Sequence, residues 1–90
     1  MDAEKLKSLR AQLDEVHDWP SIYMFKFIIP NEPENIDSLR GIFDESVDMR
    51  EKLSKNGNYI SFTIREMMLN ADSIFDRYTR ASSIKGIISL

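Results

Sequence analysis

Apolar residues recur at helical spacing in three separate segments of the chain. In the first segment they are Leu6, Leu9, Leu13 and Val16, which follow one another at intervals of 3, 4 and 3 residues and so share one face of a helix. Pro20 limits this segment, because proline disfavours helical backbone in the residue before it. The spacing predicts helices over residues 1–17, 34–46 and 70–82, the second of them capped by Asn31 or Asn35.

Alternating and β-branched residues predict four strands between and after these helices. The strongest signal is 22–29, which is rich in aromatic and β-branched side chains; 59–65 alternates cleanly, 47–54 alternates more weakly, and 87–90 is a short apolar run. Asn56-Gly57 favours a tight hairpin between the second and third strands. On the first strand we expect Tyr23, Phe25, Phe27 and Ile29 to face the helices, and Ile22, Met24, Lys26 and Ile28 to face away from them.

The order of elements after the first helix is β-α-β-β-α-β, which is typical of an α+β fold of the ferredoxin-like kind. We therefore expect a four-stranded antiparallel sheet with two helices on one face. The chain divides into an N-terminal amphipathic helix, 1–18, and a ferredoxin-like domain, 19–90. The other face of the sheet is too apolar to stay bare. Either the stripe of the first helix or another chain is expected to cover it.

Composition excludes several classes of function. The 90 residues contain no cysteine and one histidine, which excludes disulfides, thiolate metal sites and histidine-rich zinc sites. No apolar run approaches the roughly 18 residues of a membrane-spanning helix, and the charged start does not resemble a signal peptide. We therefore expect a cytoplasmic protein without cofactor or membrane contact.

Catalytic motifs are also missing from the sequence. Nothing resembles a nucleophile elbow, a phosphate-binding loop or a dinucleotide fingerprint. His17 and Asp18 are the one adjacent His–carboxylate pair, and neighbouring helical residues point about 100° apart. The sequence thus favours a protein that is not an enzyme.

Two segments carry a resemblance to a known family. Residues 19–27, Trp-Pro-Ser-Ile-Tyr-Met-Phe-Lys-Phe, resemble the opening of the YbeD-like family of small bacterial proteins of unknown function, and residues 54–61 resemble its Ser-x-x-Gly-Asn-Tyr-x-Ser hairpin. The resemblance implies a ferredoxin-like fold similar to the ACT domains that regulate metabolic enzymes. It implies no catalytic residue. The chain departs from the pattern at Pro30, where an ACT-type ligand loop is glycine-rich.

These observations favour a non-catalytic regulatory or adaptor module that binds an unidentified protein partner or a small metabolite, with a homodimer as one arrangement. The candidate binding residues are Lys26, Lys55, Asn56, Asn58, Tyr59 and Arg65. Each has a simpler interpretation as a turn residue or a solvated strand position. Charge is uneven along the chain, since residues 31–48 carry a net charge of -5 and residues 49–65 a net charge of +3.

RNA binding is the alternative function, because RNA-recognition modules share this order of elements. Tyr59-Ile60-Ser61-Phe62 matches the end of their third-strand motif. Gly57 stands where that motif places a base-stacking aromatic residue, and the whole chain is acidic, with a net charge of -3. Nucleic acid is therefore the disfavoured partner.

Overall fold

Over the part of the chain that the structure describes, the protein is an α+β fold with three helices and a four-stranded antiparallel sheet. The structure, a computed structural model, describes residues 3–44 and 46–90. The strand order is β2-β3-β1-β4, and each neighbouring pair is antiparallel, an arrangement compatible with the expected ferredoxin-like fold. The elements are α1 (Ala3–Val16), β1 (Ser21–Pro30), α2 (Pro33–Ile42), β2 (Asp48–Leu53), β3 (Tyr59–Met68), α3 (Ala71–Ala81) and β4 (Ile88–Ser89).

The core lies between one face of the sheet and the helices α2 and α3. Phe25 is opposite Ile64 and Phe27 is opposite Phe62 in the β1–β3 register, and directly opposed residues of antiparallel strands point to the same face. All four side chains are fully buried, together with Leu39 of α2 and Ile74 of α3. The predicted inward set of β1 is confirmed, with Tyr23 half-buried at its start and Phe25, Phe27 and Ile29 fully buried.

The second helix is shorter than the sequence pattern predicts. It ends at Ile42 rather than at 46, because Phe43 takes extended backbone and buries its ring in the core, 5.3 Å from the ring of Phe25. Residue 45 lies outside the described residues. The predicted caps are also wrong, since Glu32 occupies the N-cap position without a side-chain hydrogen bond. The two asparagine side chains bond elsewhere, that of Asn31 to the Gly57 carbonyl and that of Asn35 to the Pro30 carbonyl.

The third strand is longer than predicted, reaching Met68 instead of 65. Its last residues pair with the start of β1, where Ser21 lies opposite Met68, and Met68 is buried in the core. The pairing with β1 therefore extends the strand beyond the segment of clear alternation.

The N-terminal helix does not cover the outer face of the sheet. The α1 helix packs against α3, and its stripe borders a cavity together with Ile74 and Phe75 of that helix. The sequence left two arrangements open for the outer face. The one in which α1 of the same chain covers it is wrong for the described residues. The stripe is only partly packed, and the Val16 side chain is 77% exposed.

Candidate functional site

The face of the sheet that points away from α2 and α3, called the open face below, carries an apolar patch at one end. Ile22 and Met67 lie opposite each other in the β1–β3 register, and Met24 follows on the same face. These side chains are 62%, 59% and 51% exposed, respectively. The expected outward orientation of Ile22 and Met24 is confirmed. Adjoining exposed apolar side chains of this kind mark interaction surfaces.

Four cations lie beside this patch on the open face. In the strand register Thr63 is opposite both Lys26 and Arg50, and Arg65 is opposite both Met24 and Asp48. Lys52 joins them from β2, opposite Ser61. The cations of the described open face are Lys26, Arg50, Lys52 and Arg65, against the carboxylate Asp48, so that the face has a net charge of +3 on a chain whose net charge is -3.

The cations of the open face differ from the helix arginines in their pairing. Each arginine of the described helices has a carboxylate partner; the pairs are Arg10–Asp72, Arg40–Glu51, Arg77–Glu66 and Arg80–Asp76. On the open face Arg50 lies 3.7 Å from Asp48 in an exposed pair. Lys26, Lys52 and Arg65 have no ion-pair partner among the described residues. Their charge is therefore available to an outside anion.

The 55–58 turn is held by two hydrogen bonds from Asn31, the residue that follows β1. The Asn31 side chain donates to the Gly57 carbonyl at 2.9 Å, and its backbone N–H donates to the Asn58 carbonyl at 2.9 Å. The side chains of Lys55, Asn56 and Asn58 are exposed. Gly57 has a φ of +74°, the left-handed conformation that the Asn-Gly pattern predicts.

The six predicted binding residues do not form one cluster. Lys26 and Arg65 are diagonal neighbours on the open face, where such side chains lie about 7–8 Å apart. Tyr59 stands six residues from Arg65 on β3, or about 20 Å along the strand, beside the turn that carries Lys55, Asn56 and Asn58. Sequence reasoning missed Arg50, Lys52 and Met67. The alternation of Arg50 and Lys52 around Glu51 was the signal for the first two.

Side chains that could bind a metal ion do not converge in the described part of the chain. No three His, Asp or Glu side chains of residues 3–44 and 46–90 come together as a metal-ligand group. His17 contacts the Ser21 hydroxyl through Nδ1 at 3.0 Å and stacks on Trp19. No described helix has the length and apolar character that crossing a bilayer requires.

Comparison with known proteins finds no relatives. No family model, no curated protein and no solved structure matches the chain. Its function is therefore inferred from the chemistry of its own surfaces.

Proposed function

We propose that this chain is a non-catalytic adaptor module of the ferredoxin-like, ACT-like kind, related to the YbeD-like proteins, that works in the cytoplasm. Its open face binds a partner protein through an acidic segment with apolar anchors. The observation that carries this proposal is the position of three unpaired cations, Lys26, Lys52 and Arg65, on the sheet face that also exposes Ile22 and Met24.

The two parts of the open face favour two kinds of side chain in the partner. Bulky apolar side chains of the partner stabilise the complex when they cover Ile22, Met24 and Met67, because burial of apolar surface contributes about 25 cal/mol per Å². Carboxylates beside those anchors meet the unpaired cations, which speeds association and orients the partner. An acidic amphipathic segment satisfies both requirements.

A second copy of the chain does not satisfy them face to face. A two-fold pairing brings the same surface patch of both copies together, so that Lys26, Lys52 and Arg65 would face the cations of the other copy. Like charges across an interface oppose association. The homodimer expected from the sequence is therefore not proposed for this face.

RNA fits the open face less well than an acidic protein segment. Sequence-specific recognition of single-stranded RNA relies on aromatic side chains that stack on the bases. The one aromatic side chain that β1, β2 and β3 present on this face is Tyr59, and it lies at the far end of β3 from the apolar patch. The binding measurement below therefore includes an RNA probe beside the peptides.

The test measures binding of labelled probes to the full chain by fluorescence anisotropy. The probes are a 12-residue peptide of Glu with Leu and Phe anchors, the same peptide with Lys in place of Glu, and a single-stranded RNA of 12 nucleotides. We expect saturable binding of the acidic peptide that weakens with added NaCl, and at least tenfold weaker binding of the other two probes. Equal binding of both peptides, or preferred binding of RNA, would overturn the proposal.

A pair of double variants separates the open face from charge in general. Lys26→Glu/Lys52→Glu reverses the charge at two positions. Their partners on β3 are Thr63 and Ser61, so neither new glutamate faces a carboxylate on that strand. Lys7→Glu/Lys85→Glu makes the same change in net charge at exposed positions outside the sheet. We expect the first double variant to lose at least tenfold in affinity for the acidic peptide and the second to stay within about twofold. Similar losses in both would assign binding to net charge and contradict the proposed site.

A further inference from the structure

A cavity of about 930 Å³ lies on the opposite side of the molecule from the open face, between α1 and α3. Leu6, Leu9 and Leu13 line it from α1, and Ile74 and Phe75 line it from α3. Its volume is within the range of about 300–1,000 Å³ that is typical of small-molecule sites. The cavity is open to solvent on one side, so that a small molecule can enter it and cover apolar side chains of α1 and α3.

Two polar contacts hold the N-terminal helix beside the cavity, although the apolar stripe of the helix remains incompletely packed. Arg10 pairs with Asp72 of α3 and lies over the ring of Phe75. At the other end of α1, the Asp14 carboxylate accepts a hydrogen bond of 2.9 Å from the Trp19 indole. No described residue of α1 is fully buried. A molecule in the cavity would complete the burial of the stripe without displacing the helix.

The lining indicates an uncharged occupant. No described residue that borders the cavity is Asp, Glu, Lys or Arg, and the one basic side chain in the lining is His17. A charged group placed there would lose its hydration, which is costly, and would find as a partner at most the imidazole of His17, which already contacts the Ser21 hydroxyl. An apolar body without formal charge avoids that cost.

A polar end of the cavity adds one hydrogen-bonding requirement. Tyr23 and Tyr78 both border the cavity, and their phenol oxygens lie 3.1 Å apart and share a hydrogen bond. Two hydroxyl groups possess two hydrogens, and the bond between them uses one. The second hydrogen is left to donate to an oxygen of the occupant.

We propose that the cavity between α1 and α3 is a binding site for a small neutral amphiphile, with an apolar body against the α1 stripe and one hydroxyl or carbonyl oxygen at the Tyr23–Tyr78 pair. This site is independent of the open face. If the open face fails to bind the acidic peptide, the proposal for the cavity is unaffected, and if the cavity fails to bind a ligand, the proposal for the open face is unaffected.

The test uses the full chain and the neutral fluorophore N-phenyl-1-naphthylamine, whose emission rises in apolar surroundings. We expect saturable binding with one molecule per chain, and displacement by 1-octanol at concentrations at least tenfold lower than those of octanoate at pH 8. Absence of saturable binding would overturn the proposal. Octanoate that displaces the fluorophore as well as octanol would contradict an uncharged occupant.

Matched substitutions locate the site. Thr79→Phe fills the cavity from an exposed position on α3, and Thr63→Phe adds the same ring on the open face. We expect the first to reduce fluorophore affinity at least tenfold and the second to leave it within about twofold, with cooperative thermal unfolding confirming that both fold. Undiminished binding in folded Thr79→Phe would place the fluorophore elsewhere.

The hydroxyl requirement has a separate readout that does not depend on filling the cavity. Tyr23→Phe/Tyr78→Phe removes both phenols of the pair, so that neither hydroxyl is left to donate, and Tyr59→Phe removes an exposed phenol at the sheet end. Loss of the hydrogen bond to the ligand is expected to weaken octanol binding about fivefold in the double variant, while fluorophore binding changes less than twofold. Equal octanol affinity in both variants would refute the role of the tyrosine pair.

Discussion

The Tyr78 hydroxyl of α3 lies 3.1 Å from the Tyr23 hydroxyl of β1, and this hydrogen bond joins the last helix to the first strand of the sheet. The Tyr78 ring also contacts the rings of Phe25 and Phe27, with centroids 5.3 and 5.7 Å away. Burial in this aromatic cluster, reinforced by the bond to Tyr23, raises the pKa of Tyr78 above its ordinary value. The neutral phenol is therefore the form that the fold stabilises.

The raised pKa of Tyr78 predicts a loss of stability in alkaline solution. In the unfolded chain this phenol ionises near pH 10, whereas in the folded protein it keeps its proton at that pH. The unfolded state then binds fewer protons, so the free energy of unfolding falls as the pH rises above about 10. Urea unfolding at pH 9 and pH 11 should show a smaller decline in Tyr78→Phe than in the unaltered chain. Tyr59→Phe, at an exposed position, should decline as the unaltered chain does; equal slopes in all three proteins would contradict the prediction.

The ion pair between Arg77 and Glu66 should stabilise the fold more than the pair between Arg10 and Asp72. Arg77 Nε donates to Glu66 Oε1 at 2.9 Å, and the two side chains are 21% and 12% exposed. Glu66→Gln removes the better buried of the two carboxylates that pair with Arg77, the other being the exposed Asp76, and we expect a loss of about 1–2 kcal/mol in the free energy of unfolding. Asp72→Asn breaks a well-exposed pair and should cost no more than about 0.5 kcal/mol. Chemical denaturation of both variants measures the difference, and equal losses would refute it.

Substitution of the glycines should produce effects of different size. Gly86 has a φ of +80°, and a Cβ atom there would lie 2.9 Å from Pro30 Cγ. Gly86→Ala therefore combines backbone strain with a steric clash, and we expect a loss of about 2–3 kcal/mol. Gly57→Ala meets no atom within 4 Å at a φ of +74°, so strain alone should cost about 1–2 kcal/mol.

The helical glycine supplies the control for these two variants. The Cβ atom of Gly41→Ala would meet no atom within 4 Å, and alanine is the better helix former. Gly41→Ala should raise the free energy of unfolding by up to about 1 kcal/mol. Thermal and urea unfolding of the three variants check this order, and a Gly86→Ala protein no less stable than Gly57→Ala would overturn it.

The N-terminus of α3 is capped by side chains and that of α2 is not. Asn70 Oδ1 accepts from the Ser73 backbone at 2.9 Å in a reciprocal capping box, so Asn70→Ala should destabilise the protein by about 1 kcal/mol. Glu32, at the equivalent position before α2, makes no such bond. Glu32→Asp shortens the side chain to a good capping residue and should add a few tenths of a kcal/mol. Urea midpoints measure both changes, and a loss of stability in Glu32→Asp would contradict the second.

The local sequence pattern was sufficient to predict the long strands but not to predict where each helix and strand ends. The alternation of Ile60, Phe62 and Ile64 predicted a strand with these three side chains on one face, and that is the face the sheet buries. The end of α2 escaped prediction because it depends on the contact of Phe43 with Phe25, which is distant in sequence. The extension of β3 to Met68 likewise depends on its pairing with β1.

The sequence by itself determined the types and order of the elements, the inward residues of β1, and the uneven charge along the chain. Two features were decided by the tertiary structure. Docking of α1 against α3 created the cavity and left the open face uncovered. The register of β1, β2 and β3 brought Lys26, Lys52 and Arg65 onto one surface. Periodicity within a segment reports which of its residues are buried, but helix docking and strand register depend on contacts between residues far apart in the chain.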